Sequence, residues 1–413
     1  MKVERSKGMR DLFPEDMEKF RLISEIFRDS CLKWGYEEVR TPTLEYLHLF
    51  TSAGTLTPSM LGKVYSFLDW DGWSGERVVL RPDATIPVAR LYTERLTDIE
   101  LAKLFYIVNT FIFDSGGNKN RERWQLGTEL IGIGSPSADV ELITLSMEIL
   151  KKLGFDKVEL KLSHAGLTRG ILQKLGFASE EQDLVFDRLL DGDIGALSKI
   201  KRERPELVPL LALQGKSSGF IKNIASSLAM DLSELKPQMD DFAFIADSLR
   251  SLGYEYQINV ASVRGFEYYT GVIFQLFVND EKVGGGGRYD ALIPAMSGKN
   301  IPASGFGLYL DLLMELIKPE KMQPAPLPKI LVKMDTDAAK AGFAIAGRLR
   351  ETGYIVKLYL GGLGPVDTPW TLEVSQQSPR FTLTDTAKKK IFSLQTSEEV
   401  LEILGNQGFS IAN

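Results

Sequence analysis

At 413 residues, 44% hydrophobic and 25% charged, the chain can bury a large core divided over two or three domains. Its net charge of −6, from 49 basic and 55 acidic residues, gives no global field to draw in a polyanion, so RNA binding would need a local basic surface. A single cysteine, Cys31, excludes an internal disulfide and a cysteine-based zinc site, and only two histidines, His48 and His164, argue against a histidine-built metal centre.

The start MKVERSKGMRDLFPED is charged, and no later stretch offers eighteen uninterrupted apolar residues, which points to the cytoplasm. Apolar residues recur at helical spacing from Glu15 to Gly35, with Cys31 read as a small buried hydrophobe, and EEVRTPTLEYL then reads as a strand entering a loop at Pro42. KVYSFLDWDGWSGERVVL has the pattern of a hairpin whose turn holds Asp71 and Gly72, followed by a helix from about Thr85. FYIVNTFIFD and WQLGTELIGIG read as two strands around the polar loop SGGNKNRER, too polar for core and placed as a substrate-facing hairpin would be. A helix spans Asp139 to Leu153, and VELKLSHAGL is a strand with a turn.

From about Leu167 to Leu252 only helical runs occur, which predicts a helical insertion, placed at about 168–252. Strands return at EYQINVAS and YYTGVIFQLFVN, before VGGGGRYDALI. The three prolines of MQPAPLP suit an extended linker, so the predicted domains are 1–322 and 328–413. Beyond the linker KILVKMD, a helix over Asp337 to Thr352 and YIVKLYLGG predict a small α/β domain, with shorter signals in PRFTLTD, KKIFSLQ and EEVLEIL.

The four glycines Gly284 to Gly287 let backbone approach either a ligand or another strand, since no Cβ intervenes. They lack the lysine and serine or threonine of a P-loop and do not complete a dinucleotide fingerprint. In VRGFEYYTG strand alternation sends Tyr268 and Tyr269 to opposite faces, whereas Gln125 and Glu129, four apart on one strand, share a face. With Asp83 and Thr85 these groups suit a small zwitterion, carboxylates accepting from its ammonium; taken singly, each also fits ordinary surface polarity, and paired tyrosines in a strand usually pack.

In order and spacing these segments resemble the class II histidyl-tRNA synthetase family. GMRDLFPED is similar to its opening, TPTLEY lies in the motif 1 region, LRPDATIPVAR precedes motif 2, and FIFDSGGNKNRERWQLGTELIG covers motif 2. VRGFEYYTG and GGGGRYDAL resemble the two histidine-specific motifs, and ASGFGLYLDLL takes the motif 3 position. The resemblance runs from Lys7 to about Leu316, and only faintly extends to the family's anticodon-binding domain after Pro328. It implies an α+β fold, an antiparallel sheet flanked by helices, with dimerisation through motif 1. It further implies that Asp83, Thr85 and Gln125 meet the ammonium and carboxylate groups of histidine, Glu129 and Tyr269 its imidazole, and Arg264 its carboxylate side, with Tyr268 in the same binding set. Asp83 is one methylene shorter than the glutamate usual there.

The nucleotide site departs from the pattern. Active synthetases carry an arginine after the motif 2 phenylalanine, where this chain has Ile112, and another before the last leucine of motif 3, where it has Leu312. Each phosphate clamp contributes about 1.5–3 kcal/mol, and more where charge grows in the transition state, so adenylation should be lost. Arg121 or Arg123 in the altered loop would still leave Leu312 uncompensated. Histidine recognition without phosphate clamps is the pattern of the ATP phosphoribosyltransferase regulatory subunits, and LRPDATIPVAR, ELIGIGSPSADVE and LSHAGL are more similar to that subfamily. The resemblance thus implies no catalytic residues, cofactor or metal. It implies a short-form catalytic chain as partner, a homodimer within a hetero-oligomer, and histidine as feedback effector. Two other readings compete. A histidine–tRNA ligase is opposed by Ile112 and Leu312; a synthetase-derived RNA-binding or sensor module is favoured by the C-terminal remnant and opposed by the acidic charge and the lack of an aromatic-basic platform.

Overall fold

The computed structural model describes residues 3–52, 61–69, 75–113, 120–178, 202, 214–224, 228, 231–259, 269–318, 327–360 and 368–405. They fall in two compact units, Met1–Met322 and Gln323–Asn413.

The strands of the first unit are β1 (Glu37–Glu38), β2 (Leu44–Tyr46), β3 (Ser66–Leu68), β4 (Arg77–Leu80), β5 (Ala102–Phe111), β6 (Glu122–Ile131), β7 (Glu159–His164), β8 (Gln214–Gly215), β9 (Gln257–Asn259), β10 (Val272–Val278), β11 (Glu281–Arg288) and β12 (Ala303–Tyr309). Nine form one sheet in the order β1-β5-β6-β12-β11-β10-β7-β9-β8, and β2, β4 and β3 form a second, antiparallel sheet. The six strands from β5 to β7 pair antiparallel throughout, as the family resemblance implies.

Alternation divides the large sheet between two cores. Phe105 and Ile107 of β5, Leu126 and Leu130 of β6, and Phe306 and Leu308 of β12 join the larger one, with Phe27 of helix Pro14–Lys33 and Leu142, Leu145 and Ile149 of helix Pro136–Lys152. Leu104, Tyr106 and Val108, the intervening residues of β5, point the other way and pack with Ile86, Val88 and Ala89 of helix Thr85–Arg95 and Leu292 and Ile293 of helix Leu292–Ser297. Strands buried on both faces read as apolar runs, which is why β5 lacks a polar stripe. Helix Pro136–Lys152 starts with proline, whose missing N–H costs nothing at N1, and its end is fixed by Gly154 at φ +87°, a conformation that a side chain would strain.

The glycine run is an in-register strand segment: Gly284 to Gly287 pair with Leu276 to Ile273 on β10 and with Leu308 to Gly305 on β12. The one irregularity lies before it, at Leu276/Phe277, where Val283 is the extra residue. The predicted insertion is helical at Ser218–Lys222 and Lys236–Ser251 but also contributes β8, which pairs with β9 at the sheet edge; two residues are too few for alternation to register. β3 and β4 pair as the expected hairpin, while its turn with Asp71 and Gly72 lies outside the described residues.

The second unit holds β13 (Lys329–Met334), β14 (Ile355–Leu358), β15 (Trp370–Val374), β16 (Phe381–Asp385) and β17 (Lys390–Leu394), in the order β14-β13-β15-β16-β17. β14, β13 and β15 are parallel, the rest antiparallel. Ile345 and Leu349 of helix Ala339–Glu351 and Val400 and Leu404 of helix Ser397–Gly405 pack on Ile330, Val332, Leu372 and Leu383. The first of these helices begins two residues later than the sequence suggests, after a 3₁₀ turn at Thr336–Ala338.

Candidate functional site

Four of the residues singled out in the sequence gather around Tyr106, two of them hydrogen-bonded to its hydroxyl. Tyr106, on β5, donates its O–H to Glu129 Oε1 at 3.0 Å. Gln125, two residues along β6 from Gly127 and four from Glu129, donates from Nε2 to the same Tyr106 oxygen at 3.4 Å. Thr85, at the start of helix Thr85–Arg95, brings its hydroxyl beside Glu129 and Tyr106, and Asp83 lies close enough for its charge to act on both. Tyr289, just past β11, donates its hydroxyl to Glu129 Oε2.

Asp83 is placed differently from a freely presented carboxylate. Its Oδ1 accepts from Ile86 N at 3.0 Å, and the Thr85 and Ala84 amides lie beside it, so it caps the start of the helix. Tyr269 stands against the glycine strand: a Cβ on Gly287 would lie 3.0 Å from its Cδ1, and it adjoins Tyr289. Arg264 and Tyr268 lie outside the described residues.

Glycines clear the floor beneath these groups. A Cβ on Gly127 would overlap the Tyr106 ring, one on Gly305 the Glu129 carboxyl, and one on Gly307 the Gln125 amide. Three polar side chains can therefore lie flat on a sheet that stays closely paired.

Burial decides the protonation of the cluster. Glu129 is 1% exposed, and loss of water raises its carboxyl from 4.5 to about 8; Asp83 adds to the rise, and the hydroxyls of Tyr289, Thr85 and Tyr106 partly offset it. Asp83 is likewise pushed up by burial, offset by its three backbone donors. Tyr106 and Tyr289 are driven far above the ordinary phenol range by burial first and then by Glu129. Burial thus favours the protonated carboxyl, and a donor or cation arriving at it would favour its ionised form.

The sequence reading missed Tyr106 and Tyr289. The signal for Tyr289 was present, since it follows Gly287 by two residues and so shares its face. Tyr106 sits in an apolar run where nothing local distinguishes it from core.

At the motif 3 position, Leu312 packs against the larger core, while Asp311 accepts from the guanidinium of Arg10 and from Trp124 N. Arg121 stacks over Phe113 at 4.3 Å and donates to Tyr65 Oη at 3.3 Å, and Arg123 Nε donates to Asn120 O at 3.2 Å. Arg81 spends its guanidinium on the carbonyls of Thr41, Pro42 and Asn109 and on the Asn109 side chain. Among the described residues, no helix is long and apolar enough to cross a membrane.

Residues 8–313 match the family model of histidyl-tRNA synthetase. This chain belongs to the histidyl-tRNA synthetase family. Within the family, it is 50% identical over 409 residues to the ATP phosphoribosyltransferase regulatory subunit of Dehalococcoides mccartyi strain BAV1, covering 98% of this chain and 99% of that one. It is 31% identical to the histidine–tRNA ligase of Methanocaldococcus jannaschii over 371 residues, 87% of this chain and 86% of that one. Among solved structures it is similar to an ATP phosphoribosyltransferase regulatory subunit/histidyl-tRNA synthetase from Bacillus halodurans, with a TM-score of 0.75 and 27% identity, covering 89% of this chain and 95% of that one. The relatives at half identity are thus regulatory subunits matched over their whole length, and the ligases are distant relatives.

Proposed function

We propose that this chain is the noncatalytic regulatory subunit of ATP phosphoribosyltransferase: it holds a short-form catalytic chain in an active assembly and transmits feedback inhibition by histidine. The observation that carries the reading is the 50% identity over 98% of the chain to regulatory subunits, including the C-terminal unit. The site supports it. A carboxyl ringed by hydroxyls beside an amide suits an imidazole amino acid, whereas Ile112 and Leu312 offer a triphosphate no charge.

In this reading Asp83, Thr85 and Gln125 receive the ammonium and carboxylate groups of histidine, Glu129 and Tyr269 its ring, and Arg264 its carboxylate, with Tyr268 beside them. The chain works in the cytoplasm as a homodimer within the hetero-oligomer, and tRNA is not a partner. Histidine inhibits only if it binds the low-activity state of the complex more tightly than the active one. The test is to mix the protein with the short catalytic chain of its own organism and follow phosphoribosyl-ATP formation. Faster turnover with this protein present, and slower turnover on adding histidine, is the expected result. A catalytic rate indifferent to the protein, or histidine-dependent pyrophosphate exchange by the protein alone, overturns the reading.

A further inference from the structure

A buried ion pair behind the pocket has no role in the ligand contacts above. The Arg288 and Asp139 side chains are 8% and 4% exposed. Arg288 donates to Asp139 Oδ2 from Nε at 3.1 Å and from Nη2 at 2.9 Å, to Ser135 O at 3.1 Å, to Ile133 O at 3.2 Å and to Asp290 Oδ1 at 3.3 Å. Apart from Asp290, two residues further along its own chain, its acceptors belong to the start of helix Pro136–Lys152 and to the turn leading into it from β6, the strand of Gln125 and Glu129.

The same residue fixes the pocket from its main chain. Arg288 O accepts from Thr270 N at 2.8 Å, the residue after Tyr269. Thr270 Oγ1 in turn accepts from Asp290 N at 3.0 Å, and Asp290 Oδ1 accepts from Ala303 N at 3.0 Å. Tyr289 lies between Arg288 and Asp290, so alternation turns its ring to the pocket, where it meets Glu129, while the flanking side chains turn to this network. Asp139 uses only Oδ2; its Oδ1 is buried without a hydrogen-bond partner, so the carboxylate is held from one side. Burial first and then the charge of Arg288 lower the pKa of the His164 imidazole from 6.5 to about 4, so it adds no competing charge at neutral pH.

Resting on the histidine site proposed above, we infer that Arg288 is a positioning residue for that site: it sets the places of Tyr289 and Tyr269 and, through Asp139, links occupancy of the pocket to helix Pro136–Lys152. A backbone shift of Tyr289 or of the Tyr269 segment on ligand binding bears on Arg288 directly, through the Arg288–Tyr289 peptide bond and the Thr270 N–Arg288 O hydrogen bond, and the guanidinium passes that shift to the first turn of the helix. Coupling through a contiguous packed network of this kind is the physical form such a signal needs.

Histidine titration with hydrogen–deuterium exchange on the intact protein tests it. Histidine should slow exchange in residues 139–146, while residues 339–351 in the second unit serve as the control. Arg288→Lys, which keeps the charge and loses the planar fork, should weaken histidine binding about tenfold in protein still folded by circular dichroism. It should also abolish the exchange response of the helix. Asp139→Asn, which retains an acceptor, should leave binding closer to wild type but reduce that response. A merely structural pair would lower the melting temperature and leave the affinity of the folded protein unchanged, which overturns the inference. So does wild-type binding without any change in the helix. Failure of the wild-type protein to bind histidine at all would instead remove the proposed site, and this inference with it. Should Arg288→Lys fail to fold, the wild-type exchange response and Asp139→Asn decide.

Discussion

Replacing Glu129 by glutamine should move stability and ligand binding in opposite directions. The carboxyl is ordinary near 4.5 in the unfolded chain and sits at about 8 in the fold because burial disfavours its charge. A group whose folded value is raised stabilises below its unfolded value, and that stability is lost as the pH rises through the folded value. At about 1.4 kcal/mol for each pH unit between the two, the ionised carboxylate costs the fold on the order of 5 kcal/mol once the pH exceeds 8. Glutamine keeps the shape and still accepts from one of the Tyr106 and Tyr289 hydroxyls but cannot ionise. Urea unfolding of wild type and Glu129→Gln across pH 5 to 9 should therefore show the variant gaining on wild type by roughly 4 kcal/mol over that range. In the proposed site the same substitution also removes the carboxyl that an arriving imidazole N–H would ionise. A hydrogen bond to a charged group is worth about 1.5–3 kcal/mol, so calorimetry should find histidine bound some 10- to 150-fold more weakly. A stability gap that stays flat with pH would refute the raised carboxyl, and unaltered histidine affinity in folded Glu129→Gln would refute its role in the pocket.

Gly127→Ala places a methyl group in the Tyr106 ring, so histidine affinity should fall at least tenfold by calorimetry, with a stability loss of about 1–3 kcal/mol from overpacking. Cys31 is fully buried and its thiol is pushed far above the ordinary thiol range by that burial. Alkylation by iodoacetamide at pH 8 should consequently track unfolding, and rapid labelling of the native protein would contradict the packing of helix Pro14–Lys33. Asp311→Ala leaves Arg10 and the Trp124 amide without their acceptor, both in partly buried surroundings; thermal melts should register a loss of about 2–3 kcal/mol.

Much of the architecture was legible because the patterns are local. Helix Pro14–Lys33, the β5–β6 pair and the strand–helix–strand start of the second unit follow from periodicity and from breakers such as Gly35 and Gly154. The two-residue strand β8 was not, since so short a segment carries no period and owes its state to the neighbour it pairs with, whereas β1 falls at the start of the strand expected at EEVR. The family motifs singled out Asp83, Thr85, Gln125, Glu129 and Tyr269, and alternation alone placed Gln125 and Glu129 on one face.

Residue type and spacing determined which groups are available: a carboxylate and an amide four apart on one strand, glycines that leave a floor bare, and aliphatic side chains where phosphate clamps would stand. Only the tertiary structure decided what state those groups take. The Glu129 carboxyl is pushed toward its protonated form because segments distant in sequence bury it beneath Tyr106 and Tyr289, and Asp83 is committed to a helix start because the chain turns there. Desolvation depends on everything packed around a group, and that surrounding volume is assembled from segments that no local pattern connects.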